Sequence, residues 1–178
     1  IVEIIEKSPF RVERKCSESL RQCGGCQIQE LDYQKQLDVK TNEVKQVISR
    51  IGKLDDVVIH DTLGMEHPFR YRNKAQFPIQ KKDNIGFYKK KSHDLISTDE
   101  CIIQHEVNDK IIKIIKTYIR AYNVSIYDEK THKGLLRHLV TKVGFTTGEV
   151  MIVLVANGKK LPYLKELASV LKENIPGF

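Results

Sequence analysis

Four thiols are the groups in this chain whose number and spacing are best suited to chemistry. Cys16, Cys23 and Cys26 fall within eleven consecutive positions, the last two as a C-x-x-C around Gly24-Gly25, and Cys101 returns from far along the chain. Three clustered soft donors and a remote fourth have the count and grouping of a four-thiolate metal centre. Two disulfides would use the same count but require an oxidising compartment, and the sequence has no signal-peptide or transmembrane pattern to suggest one. A thioredoxin-like pair would start a helix inside the motif, which Gly24-Gly25 opposes. Zinc sites usually come as two separated C-x-x-C knuckles, whereas three clustered cysteines plus a distant one are commoner for an iron-sulfur cluster. His105, four residues beyond Cys101, would complete a Cys3His zinc site, so spacing alone leaves the metal open.

The cations are the second group. In Arg70-Tyr71-Arg72-Asn73-Lys74-Ala75-Gln76-Phe77, strand alternation predicts Arg70, Arg72 and Lys74 on one face and Tyr71 and Phe77 on the other. Lys81, Lys82, Lys89, Lys90 and Lys91 extend that charge around a hairpin, and Arg137, His138 and Lys142 form a second patch. Such a row can hold phosphates while Asn73 or Gln76 reaches a base or ribose. The plainer reading is an edge strand blunted by lysine. The formal net charge of +7 favours a polyanionic partner, nucleic acid first, and no strongly basic amphipathic helix points to a membrane. Phosphate-loop, dinucleotide-binding, nucleophile-elbow and zinc-protease signatures are missing, and the histidines are scattered.

Regular elements must position these groups. Apolar periodicity predicts a strand over 1–7, a helix from about Leu31 that stops at Gly52, and a helix from about Glu106 to Tyr122. A further helix follows Pro162 to about Glu173. Alternation predicts strands over 57–60, 69–80, 85–88, 124–127, 135–143 and 150–156, with a short one at Leu95-Ile96. Runs of strands with helices between them predict an α+β class with a mostly antiparallel sheet. The chain starts at Ile1 inside a strand-like run and ends just after a helix, so a fragment of a longer protein is expected.

Cys23-Gly24-Gly25-Cys26-Gln27, taken with Tyr71-Arg72-Asn73-Lys74 and Gly134-Leu135-Leu136-Arg137-His138, resembles the RNA 5-methyluridine methyltransferases of the RumA and TrmA type. The blocks match in order and spacing over nearly the whole chain, and the resemblance is closest to the iron-sulfur members that methylate 23S ribosomal RNA. It implies the last strand of a TRAM β-barrel over 1–10 and a cysteine loop over 11–30. A helix over 31–54 would pack on the methyltransferase domain, and a central α+β RNA-binding domain would span 55–178. By the same resemblance, Cys16, Cys23, Cys26 and Cys101 hold a 4Fe-4S cluster. S-adenosylmethionine, the nucleophile and the base belong to a C-terminal domain outside this chain, which alone is expected to be inactive and to contain no catalytic or cofactor-binding residue. The expected RNA-binding set is Arg70, Arg72, Asn73, Lys74, Gln76, Lys89, Lys90, Arg137, His138 and Lys142. The expected setting is the cytoplasm, without a membrane partner, and the helix stripe Leu37, Val44, Val47, Ile48 and Ile51 would be covered by a dimer partner or a neighbouring molecule. A zinc-stabilised nucleic-acid-binding module, complete in itself, is the alternative.

Overall fold

A computed structural model describes residues 4–17, 22–81 and 83–178. It divides the chain into two compact units, 1–15 with 26–68, and 16–25 with 69–178.

The first unit is built on helix α1, Tyr33–Arg50. Asp32 caps it by accepting from the Lys35 amide, and Gly52 follows its end, where an added Cβ would come within 2.6 Å of the Ile48 carbonyl oxygen. The preceding segment is tied to it by Val12 N–H to Glu30 O at 3.0 Å, Asp32 N–H to Phe10 O at 2.8 Å, and the Arg11–Glu30 ion pair. Within the expected apolar stripe, Leu37 and the neighbouring Thr41 are buried. The Thr41 hydroxyl accepts from the Thr62 amide at 2.9 Å, and the Tyr33 hydroxyl accepts from the Met65 amide at 2.8 Å. Val44, Val47 and Ile51 remain exposed. The strand expected over 57–60 does not form. Among the described residues of the first unit its β-branched residues have no neighbouring strand to pair with, and an isolated extended segment is not stable as sheet. Of the strand expected over 1–7, residues 1–3 lie outside the described residues, and 4–7 form none.

The second unit is an antiparallel five-stranded sheet in the order β3-β2-β1-β4-β5. Its strands are β1 Lys74–Gln80, β2 Asn84–Tyr88, β3 Leu95–Ser97, β4 Leu136–Val143 and β5 Val150–Ala156. Helices α2, Val107–Ala121, and α3, Leu164–Asn174, close its core with Ile111, Ile115, Leu167 and Leu171 against Ala75, Phe77, Leu139 and Val143. The Leu, Ile, Val and Phe side chains among these are worth about 1.5–3 kcal/mol each when fully buried. Gly86 lets β3 approach β2, since a Cβ there would meet the Ile96 carbonyl oxygen at 1.9 Å.

The expected strand over 69–80 begins only at Lys74. Arg70 has a left-handed backbone, φ 55°, and the chain around it pairs instead with 102–105, through Arg70 N–H to Ile102 O and Arg72 N–H to Ile103 O. The expected strand over 124–127 is reduced to a single parallel bridge, Ile126 to Leu136. The turn between β1 and β2 includes Lys82, which lies outside the described residues.

Candidate nucleic-acid interface and cysteine loop

Strand register decides which expected residues share a surface. In β1, Ala75, Phe77 and Ile79 face the helices, so Lys74 and Gln76 face the other way. Lys74 pairs with Lys142, Gln76 with Val140, and Pro78 with His138; β5 continues these rows with Met151, Val153 and Val155. The face away from the helices thus carries two lysines, an amide and an imidazole beside an apolar strip. Lys74, Gln76 and Lys142 are exposed, as is Met151. The His138 imidazole is held below its usual range, first by burial and then by the neighbouring Arg137 charge, with Glu129 opposing. The net effect favours the uncharged imidazole, a hydrogen-bonding group.

Arg137 sits where the β4–β5 register shifts, and its guanidinium lies 4.3 Å from the centroid of the Tyr127 ring. Tyr127 in turn shares a 2.8 Å hydrogen bond with His132. The connection carrying this pair is shaped by Asp128, which accepts from the amides of Lys130 and Thr131 and pairs with Lys81 at 2.9 Å. Those contacts, the Lys81 bond first, hold the Asp128 carboxyl down to about 2. Gly134, at φ 97°, closes the connection, because a Cβ would come within 2.1 Å of the Ile126 carbonyl oxygen.

The cations expected at 70, 72 and 74 do not form one row, because no strand spans them. Arg70 is turned inward to the Asp109 carboxylate and to the carbonyls of Cys101 and Gln104. Arg72 is half-buried, and its backbone carbonyl accepts from the His105 amide. Asn73 is exposed, with its carbonyl accepting from Val143 N–H. Lys89 pairs with Asp94 at 3.8 Å, and Lys90 is exposed at the end of β2. Sequence reasoning missed Tyr127, Asp128 and Asp109; the Asp128 turn could have been found from its position between strand-like runs.

The loop holding Cys23 docks by main-chain bonds onto the end of β2: Gly24 N–H to Tyr88 O at 2.9 Å and Lys90 N–H to Gln22 O at 3.1 Å. Cys23 Sγ accepts from Gly25 N–H at 3.4 Å. Burial pushes the Cys101 thiol up; the amides of Ile103 and Gln104 pull it down, while the nearby Cys23 pushes up and Arg72 pulls down. Cys23 and Cys101 are therefore brought near one another, each with amide donors to its sulfur, the surroundings that suit a sulfur-ligated metal. Cys16 lies in the same unit and Cys26 in the other; the four are thiols, each partly buried. Among the described residues no group of three or more His, Cys, Asp or Glu side chains is arranged to hold a metal ion. The donor chemistry fits a thiolate-bound group, and the completed ligand set remains an expectation of the sequence.

No protein-family model matches the chain. It is 49% identical over 180 residues to an uncharacterized RNA methyltransferase of Clostridium tetani, and 45% identical over 179 residues to one of Halalkalibacterium halodurans. Each alignment covers 99% of this chain but 39% of the relative. The crystal structure of Pyrococcus abyssi tRNA (uracil-54, C5)-methyltransferase in complex with S-adenosyl-L-homocysteine superposes with a TM-score of 0.73 at 27% identity. That superposition covers 93% of this chain and 37% of the other. The chain thus spans about two fifths of the length of the RNA methyltransferases it matches, and these similarities bear out the resemblance to the RNA 5-methyluridine methyltransferase family.

Proposed function

We propose that this chain is the RNA-contacting and cluster-binding part of an S-adenosylmethionine-dependent enzyme that methylates carbon 5 of uridine in 23S ribosomal RNA in the cytoplasm. The observation that carries the RNA reading is the shared face of Lys74, Gln76, His138 and Lys142. Two ammonium groups on one sheet face suit phosphates, and an uncharged imidazole and an amide beside them suit base or ribose edges. The chain spans 39% of the relatives it matches, and the nucleophile, the base and the S-adenosylmethionine pocket are assigned to the remainder of a polypeptide of that length. This stretch alone is inactive in that reading. Cys16, Cys23, Cys26 and Cys101 are assigned to a 4Fe-4S cluster, which would supply a structural pin and no redox step. Exposed Val44, Val47 and Ile51 of α1 are assigned to packing on the methyltransferase domain.

A second substrate, transfer RNA, is favoured by the likeness to the Pyrococcus tRNA (uracil-54, C5)-methyltransferase. The deciding experiment incubates the longer polypeptide and labelled S-adenosylmethionine with a 23S ribosomal RNA transcript or a tRNA transcript. Methyl transfer to uridine of the ribosomal transcript is expected; transfer to tRNA alone overturns the ribosomal assignment, and transfer to neither overturns the methyltransferase reading. Anaerobic metal analysis is expected to find iron with sulfide. A single zinc without sulfide would instead establish the zinc-stabilised module.

A further inference from the structure

We propose that the outer edge of β5 receives a sixth strand, running parallel to β5, and that in a polypeptide of the relatives' length the same chain supplies it. The proposal is independent of the substrate. Val150-Met151-Ile152-Val153-Leu154-Val155-Ala156 is a continuous apolar run at the end of the sheet. Edge strands normally carry charges or proline that discourage further pairing, and β5 has neither. An unbroken run of this kind is the pattern of an interior strand.

The backbone is also set to pair. Val150 N–H donates outward, to Gly177 O at 2.8 Å, although Val150 stands opposite Val143 of β4. Because antiparallel ladders alternate, Ile152 and Leu154 direct their N–H and C=O groups to the same outer side. Beside them runs an apolar groove of about 290 Å³, walled by Ile152, Leu154, Leu164, Leu167, Leu171 and Phe178. Side chains of an added strand that point toward α3 would fill it.

The direction and source of the strand follow from α3. Leu164 at its start, and Leu161 three residues before it, share a hollow with Leu154 and Ala156 at the end of β5. Gly177, after its end, reaches Val150 at the start of β5. The helix therefore runs back along β5 and returns the backbone to the starting end, as in a β-α-β crossover, which joins parallel strands. Gly177 already makes the first rung. A second copy would have to displace that contact or pair beyond it.

Amide hydrogen exchange read by NMR tests this in the 178-residue chain and in a polypeptide of the relatives' length. The amides of Ile152 and Leu154 are expected to exchange at least about tenfold more slowly in the longer polypeptide, with Met151 and Val153, bonded to β4, protected in both. Equal, fast exchange of Ile152 and Leu154 in the two proteins would overturn the proposal. So would protection in the 178-residue chain that rises with its concentration, which would assign the edge to a second copy. Equal protection in both at every concentration overturns it too, since the edge would then need no further strand.

Discussion

The guanidinium of Arg70 donates to the carboxylate of Asp109 across 2.9 Å, joining the entry to the sheet with the first turn of α2. The same nitrogen reaches the carbonyls of Cys101 and Gln104 at 3.1 and 3.4 Å, so one side chain holds the segment in which the remote cysteine sits. Arg70→Ala is expected to lower unfolding stability by about 1.5–3 kcal/mol, the usual range for hydrogen bonds to a charged group. Chemical denaturation of the 178-residue chain measures it. A variant as stable as the parent, with impaired RNA binding in the longer protein, would return Arg70 to the RNA face.

Lys74 and Lys142 are cross-strand neighbours on the open face, and both are exposed. Each change to alanine is expected to weaken RNA binding about fivefold and to make log K against log salt shallower by about 0.7–1. Filter binding across a salt series, on the longer protein, reads both. Unchanged slopes for both variants would remove this face from the RNA path.

Asp128 gives a pH dependence with a defined sign. Its carboxyl is depressed in the folded protein, from 3.8 to about 2, chiefly by Lys81 and then by the amides of Thr131 and Lys130. A depressed acid contributes stability that is present above its unfolded pKa and lost as pH falls through its folded one. Asp128→Ala is therefore expected to be less stable than the parent at neutral pH, with the gap narrowing from about pH 4 toward pH 2. Thermal melts at matched ionic strength measure the gap; a constant difference across that window would refute the assignment.

The elements that declared themselves in the sequence were those whose pattern reports their own packing. Ile111, Ile115 and Tyr118 recur at helical spacing because α2 lies on the sheet, and Leu139, Thr141 and Val143 alternate with Val140 and Lys142 because β4 has a covered and an open side. The start of β1 was not legible, since residues 70–72 alternate like a strand but are captured by 102–105. The interface was partly legible for the same reason. Lys74, Gln76, His138 and Lys142 follow from alternation once the strands are placed, whereas the inward turn of Arg70 depends on Asp109, 39 residues away. The partial burial of His138 was equally invisible to local pattern, and it further favours the uncharged imidazole.

The attachment of the Cys23 loop to β2 has a consequence for how this sequence can drift. Both of its bonds, Gly24 to Tyr88 and Lys90 to Gln22, are made by main-chain atoms, so substitutions at Gln22, Tyr88 or Lys90 leave the donors and acceptors in place. Gly24 is the exception, because a methyl group there would press to 3.1 Å from the Tyr88 carbonyl oxygen. Lineages are expected to vary the side chains at this junction more freely than Gly24, where any larger residue must push the β2 backbone back by a few tenths of an ångström, an evolutionary constraint set by the width of a gap and indifferent to what the thiols bind.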